Sequence, residues 1–395
     1  MKFSVLLPTR NRLELLRYAI ETVRRQDYGN WEVIVSDNAS EEDIAGYVRS
    51  LSDPRIRYLR TASFLPVTDN WNNALDKSTG DYVVMLGDDD CLMQGYFSTL
   101  RRLIEERGAP DLVYHSALLY AYPGVMPGFP DGFVQPYGYA SFLKDAKEPF
   151  QLERAAALQC VRDSMDFRVT FGFNMQFALV SRRLIDALRY KGPFFQSPYP
   201  DYYAMNAALL KAERILVCPQ PLVAIGVSPK SFGFHYVNKS EKAGVEFLNN
   251  VPDQETVQRL RDVLLPGSQS NTSWLLAMES LRNNYGRDAG FAVNYGRYRL
   301  LQIIQTCAAL ADGENSAKAA FVELWTKLGA VEKCAAAVLR IMAVAASSLP
   351  SRLRQRLNVA LLALLGVYPM YRPKRVTGRF RTILEVHESP DPLAQ

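Results

Sequence analysis

Gly80-Asp81-Tyr82-Val83-Val84-Met85-Leu86-Gly87-Asp88-Asp89-Asp90 is the stretch on which the fold turns. Tyr82–Leu86 is apolar without a break, as expected of a strand buried on both faces inside a parallel sheet. It runs straight through Gly87 into three carboxylates. Adjacent carboxylates repel one another unless a cation sits among them. Two readings of the triplet stand side by side. One is a solvated turn leading to the helix near Gln94. The other is a seat for a hard divalent ion with oxygen ligands, which also bridges a diphosphate.

The residues on either side supply the rest of the sheet. Upstream, Phe3–Leu7, Trp31–Ser36 and Ile56–Arg60 predict strands. They alternate with helical periodicity over Arg12–Arg25, Glu41–Leu51 (with Ser40 as N-cap) and Asp69–Lys77. Downstream, Gln94–Arg107 is amphipathic and Leu112–Tyr114 begins a further strand. This order predicts an α/β fold, a mainly parallel sheet flanked by helices. Ligands of such sheets bind beyond the carboxyl ends of the strands. Three polar clusters stand there: Pro8-Thr9-Arg10-Asn11-Arg12, Asp37-Asn38-Ala39-Ser40 and Asp88–Asp90.

Tyr122–Tyr139, dense in Pro, Gly and aromatics, predicts a long loop. Strand and helix signals return between Phe171 and Phe234, most clearly at Phe173–Val180, Arg182–Leu188 and Tyr202–Lys211. From about Glu241 the pattern is helical and rich in Ala and Leu. The expected organisation is an α/β domain over 1–240 and an α-helical C-terminal region over 241–395. A chain of 395 residues is long enough for two domains.

Bulk properties exclude several classes. With 48% hydrophobic and 22% charged residues the composition is that of a globular protein. Five scattered cysteines, with no CxxC pair, make neither a disulfide framework nor a zinc site and suit a reducing cytoplasm. The first residues do not read as a signal peptide, and no apolar run reaches the roughly 18–20 residues of a spanning helix. The net charge of +5 hides an asymmetry: from Lys333 to Leu384 there are ten Lys/Arg and no Asp or Glu. The remaining 36 basic residues face 41 acidic ones, so the body is mildly acidic and the tail basic.

Val5-Leu-Leu-Pro-Thr-Arg-Asn11, Val33-Ile-Val-Ser-Asp-Asn-Ala-Ser40 and Gly80–Asp90 together resemble the N-terminal signatures of family 2 glycosyltransferases of the GT-A fold, in order and spacing, over roughly residues 3 to 100. A weaker resemblance continues to about residue 235. The resemblance implies that Pro8, Thr9, Arg10 and Asn11 line a nucleotide pocket, that Asp37 accepts a hydrogen bond from the base, usually uracil, and that Asp88 faces the ribose. Asp89 and Asp90 would lie on or beside Mn²⁺ or Mg²⁺. The family pattern is usually D-x-D, so three consecutive Asp leave the ligand ambiguous. Asp201, before the helix Tyr202–Lys211, matches the family's general base, with Pro200 where a Glu is often found; a simple helix N-cap is the other reading. Asn174, Gln176 and Tyr199 are candidates for the sugar and acceptor side.

Gly226–His235 resembles a segment that follows the catalytic core in polysaccharide-assembling members. Ser228, Lys230 and Ser231 there read either as a diphosphate lid or as a surface connection, and His235 as a metal ligand or a structural side chain. The resemblance implies an inverting enzyme that takes a nucleotide-sugar donor, UDP-linked, to a glycan or lipid-linked acceptor. The setting would be bacterial surface-polysaccharide synthesis at the cytoplasmic face of the inner membrane.

The tail has its own pattern. Leu353, Leu357, Leu361 and Leu364 fall on one stripe of a helix over Ser351–Leu365, followed by Tyr368, Met370, Tyr371 and Arg372-Pro-Lys-Arg375. This suits peripheral contact of residues 333–384 with an anionic membrane; packing on the α/β domain is the alternative. No nucleic-acid motif accompanies the charge. A sugar nucleotidylyltransferase or a nicotinamide dehydrogenase needs a Gly-rich loop after the first strand, and Pro-Thr-Arg-Asn-Arg offers none. A non-catalytic sugar-binding scaffold of the same fold remains open, and the sequence leaves the oligomeric state undetermined.

Overall fold

The computed structural model describes residues 1–126, 129–137, 140–143, 146–238, 244, 248–250, 254–286, 290–314, 317–350, 353, 356–357, 360–361, 364–366 and 380–394. Its sheet contains β1 (Phe3–Thr9), β2 (Trp31–Asp37), β3 (Ile56–Arg60), β4 (Tyr82–Met85), β5 (Cys91–Leu92), β6 (Leu112–Ala121), β7 (Phe133–Tyr137), β8 (Phe150–Gln151), β9 (Ala178–Ser181) and β10 (Ile215–Val227). The order is β3-β2-β1-β4-β9-β6-β10-β5, with β7 on β6 and β8 on β10.

The strands β3, β2, β1 and β4 pair in parallel, with the largely apolar β2, β1 and β4 inside and Ile56–Arg60, which carries two Arg, at the edge. Beyond them the sheet is mixed: β9 enters antiparallel to both β4 and β6, while β10 runs parallel to β6. Every residue of β2 is buried, and β1 is buried but for Pro8. Chain order reverses at β1, with β2 on one side and β4 on the other, so a crevice opens at the carboxyl ends of β1 and β4.

The helices of this half are α1 (Leu13–Arg24), α2 (Ile44–Ser50), α3 (Val67–Asp76), α4 (Tyr96–Glu106), α5 (Arg154–Met165), α6 (Arg182–Leu188) and α7 (Pro200–Lys211). After them come α8 (Phe232–Val237), α9 (Gln254–Arg259), α10 (Gln269–Leu281), α11 (Tyr295–Ala311), α12 (Ala317–Lys327), α13 (Ala330–Ser347) and α14 (Ile383–Glu388). Each of α1 and α4 buries an apolar stripe, Leu16, Ile20 and Val23 on one and Phe97, Leu100 and Ile104 on the other. Burying one such side chain contributes about 1.5–3 kcal/mol.

Several sequence expectations are corrected. Helix α2 starts at Ile44 and is capped by Asp43, whose Oδ1 accepts from Gly46 N at 2.7 Å. Ser40 serves the neighbouring loop instead, accepting from Asn11 N at 2.9 Å. The expected loop Tyr122–Tyr139 contains β7, which pairs antiparallel with β6. Phe173–Val180 divides into a 3-10 turn, Met175–Phe177, and the strand β9. Helix α7 begins earlier than expected, with Pro200 in its first turn and Tyr199 as N-cap, so Asp201 is not the cap.

The boundary expected near residue 240 falls next to residues outside the described ones. One hydrophobic core nonetheless runs from Phe3 to Val386 and includes Trp274 and Leu275 of α10. Trp274 packs edge-on against Phe173 at 5.4 Å and against Tyr202 at 4.6 Å, joining the helical region to α7. Helix α14 returns to the first helix: His387 Nδ1 lies 2.7 Å from the Leu92 carbonyl, and Glu388 pairs with Arg25. The middle of the basic segment, including Tyr368 to Arg375, lies outside the described residues.

Candidate active site

Gly87 ends β4, and the triplet turns across the carboxyl ends of the sheet, where its three carboxylates meet three different sets of partners. Asp88 bridges β4 to β1, its Oδ2 accepting from Thr9 Oγ1 at 2.7 Å. Its Oδ1 accepts from the Arg12 guanidinium, also at 2.7 Å. Asp89 accepts from Ser228 Oγ at 2.7 Å through Oδ2.

Asp90 accepts three hydrogen bonds from the protein. Gly87 N (2.7 Å) and Gln176 Nε2 (2.7 Å) donate to Oδ2, and Gly226 N (2.8 Å) to Oδ1. The last bond needs close backbone approach: a Cβ on Gly226 would lie 1.9 Å from the Asp89 carbonyl oxygen. Burial raises the pKa of both Asp89 and Asp90; repulsion from Asp88 adds to the rise at Asp89 and from Asp89 to that at Asp90, while Arg12 opposes it at Asp89.

Arg12 is the cation among the carboxylates. It stands at the N-cap of α1; burial disfavours its charge, and attraction to Asp88, Asp89 and Asp90 outweighs that cost, raising its pKa. Arg12 also donates to the Lys230 carbonyl, while Lys230 Nζ donates to the Asn11 carbonyl at 2.8 Å. The loop after β10 is thereby laced to the loop after β1. Ser228 and Ser231 close it internally, Ser231 Oγ donating to the Ser228 carbonyl at 2.9 Å.

Asp201 faces this group from the first turn of α7. Its Oδ1 accepts from Met175 N at 3.1 Å, and the next residue of that 3-10 turn, Gln176, holds Asp90. One short turn therefore spans the distance between the lone carboxylate and the triplet. Loss of hydration pushes the Asp201 carboxyl up to about 7, against the opposing pull of the Met175 N–H. Gln176 Oε1 is buried with no hydrogen-bond partner among the described residues.

A cleft of about 230 Å³ is lined by Pro8, Thr9, Arg10, Arg12, Asp88–Asp90, Asn174, Gln176, Tyr199, Asp201 and Ser231, with Asn38, Phe64, Trp71 and Phe232 among its other walls. Tyr199 stacks on Tyr202 at 5.0 Å, and Arg10 lies 3.8 Å over the Phe64 ring. Asn11, Asp37, Ser228, Lys230 and His235 do not line the cleft.

Asp37 is fully buried and engaged by Tyr58 (2.6 Å), Arg60 (3.0 Å) and Ser40 N (2.9 Å), while its neighbour Asn38 reaches the wall. His235 sits on α8 against Phe234, and no group of three His, Cys, Asp or Glu suited to a metal occurs among the described residues. Arg12, Phe64 and Asn38 were not singled out by the sequence reading. A charged residue at a helix N-cap was the available signal for Arg12, since that position favours Ser, Thr, Asp or Asn.

The cleft lies at the reversal point of a mixed α/β sheet, with Asp88–Asp90 and Asp201 both on its walls. Residues 4–119 match the model for glycosyl transferase family 2. The GalNAc(5)-diNAcBac-PP-undecaprenol beta-1,3-glucosyltransferase of Campylobacter jejuni is 40% identical over 108 residues, 27% of this chain and 35% of that one. The UDP-Glc:alpha-D-GlcNAc-diphosphoundecaprenol beta-1,3-glucosyltransferase WfgD of Escherichia coli is 30% identical over 87 residues, 22% of this chain and 32% of that one. The chain thus spans about a third of the length of these relatives. Among solved structures, S. aureus TarS 1-349 is 14% identical, with a TM-score of 0.42 over 90% of this chain and 92% of that one.

Proposed function

We propose that the chain is an inverting glycosyltransferase that moves a sugar from a UDP-linked donor to a hydroxyl of a glycan or lipid-linked acceptor in bacterial surface-polysaccharide synthesis. The observation that carries this reading is the placement of Asp201 and Asp88–Asp90 in one cleft, joined by the turn Met175–Phe177. The undecaprenol-linked names of the two relatives support the choice of a lipid-linked acceptor.

In this reading Asp201 accepts the proton of the acceptor hydroxyl. That oxygen bonds to the anomeric carbon as the bond from that carbon to the diphosphate breaks on the opposite face, which inverts the centre. Thr9, Arg10 and Asn38 surround the nucleoside, and Arg12 supplies positive charge beside the leaving diphosphate. Asn174, Gln176 and Tyr199 orient the sugars. Asp37 acts through the fold, setting Asn38 at the wall.

A divalent Mg²⁺ or Mn²⁺ fits the donor set best through Asp89, which accepts one side-chain hydrogen bond from Ser228, while Asp90 accepts three hydrogen bonds and Asp88 is ion-paired to Arg12. Such ions are commonly held by one or two carboxylates plus substrate phosphates. When bound, the ion would neutralise charge developing on the diphosphate. Ser228, Lys230 and Ser231 cover that end of the cleft as a lid in this reading, and His235 behind them is structural. With an acceptor on a lipid, the chain in this reading works at the cytoplasmic face of the membrane, and the basic 333–384 segment suits an anionic surface.

Titration with UDP by calorimetry, with and without Mn²⁺, followed by turnover of a panel of nucleotide sugars, tests the proposal. Metal-dependent UDP binding with release of UDP from one donor is the expected result. Binding without turnover on any donor would favour a sugar-binding scaffold. A pH profile adds a second check. A base is active only when ionised, so kcat/KM should rise with unit slope below about pH 7 and level off above it, given a carboxyl raised to about 7. A profile flat from about pH 5 to 9 would remove Asp201 as the base.

A further inference from the structure

We infer that α13 lays its outward face on an anionic lipid surface, in the plane of the interface. The inward side of α13 is small: Ala336 and Leu339 pack on Ile303, Cys307 and Leu324. The outward side is also apolar, yet uncovered. Val331 is 84% exposed, Val338 56%, Ile341 70%, Met342 60% and Val344 51%. At about 100° per residue these five side chains fall on one arc of roughly 160°, with Lys333 and Arg340 along one edge of it. A helix apolar all round belongs inside a protein or against a membrane, and this one is not inside.

The exposed stripe continues beyond α13. Leu353, Leu357, Leu361 and Leu364 are helical and exposed. No helix among the described residues is long and apolar enough to cross a bilayer, so the face fits a helix lying flat.

Charge selects the occupant. Ten Lys/Arg and no acid stand between Lys333 and Leu384. A second copy docked face to face would bring two such segments together and be repelled. An anionic headgroup layer attracts them, while its acyl boundary receives Val338, Ile341 and Met342. The inference stands on exposure and charge and goes beyond the glycosyl-transfer reading, which it survives or fails independently.

Flotation of the full chain with phosphatidylcholine vesicles, with and without phosphatidylglycerol, tests it. Binding to the anionic vesicles should exceed binding to the neutral ones by at least about tenfold at low salt and weaken as salt is raised. The double variant I341E/M342E should lose at least about tenfold in vesicle binding, with its melting temperature and UDP affinity unchanged. Absence of wild-type flotation, or equal flotation of the double variant, overturns the inference. A dimer in sedimentation velocity that the double variant dissolves, without vesicle binding, would also overturn it by making the face a contact between copies. Vesicle binding by a chain that does not bind UDP would instead count against the glycosyl-transfer reading alone.

Discussion

Asp201→Asn is expected to lower kcat by about 10²–10⁴-fold, the contribution of one positioned base, while UDP affinity stays within about twofold. The amide keeps the shape of the carboxylate, and its oxygen still accepts from Met175 N, so the turn that reaches Asp90 stays in place. What disappears is the ability to take a proton. Stability should hold or rise, because the substitution removes a carboxyl whose ionised form is disfavoured by burial. The sign can be checked: an acid with a folded pKa raised above the unfolded one costs stability as pH rises from about 4 through about 7. Asn relieves that cost at pH 8. Single-turnover rates on a responsive donor, beside UDP calorimetry, decide the matter; an undiminished rate would refute the assignment.

The second large effect separates two neighbours. Asp89→Ala should abolish the response to Mn²⁺ and cost about 10²–10³-fold in kcat, on the scale of losing one electrostatic partner of a leaving group. Its partner on another element is the Ser228 hydroxyl, against three donors at Asp90, so the melting temperature should change less. Asp90→Ala should behave differently. It strands the N–H groups of Gly87 and Gly226 and the Gln176 amide, at about 1–3 kcal/mol for each buried group left unpaired. Melting curves and metal titrations on the two variants make the comparison. Equal loss of stability in both would refute the division of labour between a metal carboxylate and a structural one.

The inner parallel strands β2, β1 and β4 were legible because a strand buried on both faces is written as a largely apolar run, and the acidic triplet because it follows one. The thirteen-residue strand β10 was not. Pro219 and Pro221 interrupt it, and the pairing with β6 shifts register there, so an interior strand carries the punctuation of a loop. The 3-10 turn at Met175 was hidden for another reason: its roles, an N–H for Asp201 and an amide for Asp90, depend on partners 26 and 86 residues away. Asp37 was recognised as a strand-end carboxylate, but only coordinates reveal Tyr58, Arg60 and Ser40 N around it. The helical half was read as helical from its composition, yet the Trp274 contacts that fuse it to α7 leave no periodic trace.

The return of α14 to α1 and β5 changes what the basic segment can be. The described residues on either side of it are both anchored to the body, α13 on α11 and His387 at Leu92. A leash with one free end would let the body tumble above a bilayer and work at any height. Anchorage on both sides instead ties any surface that α13 meets to one orientation of the body, because α13 packs on α11 and α14 on α1.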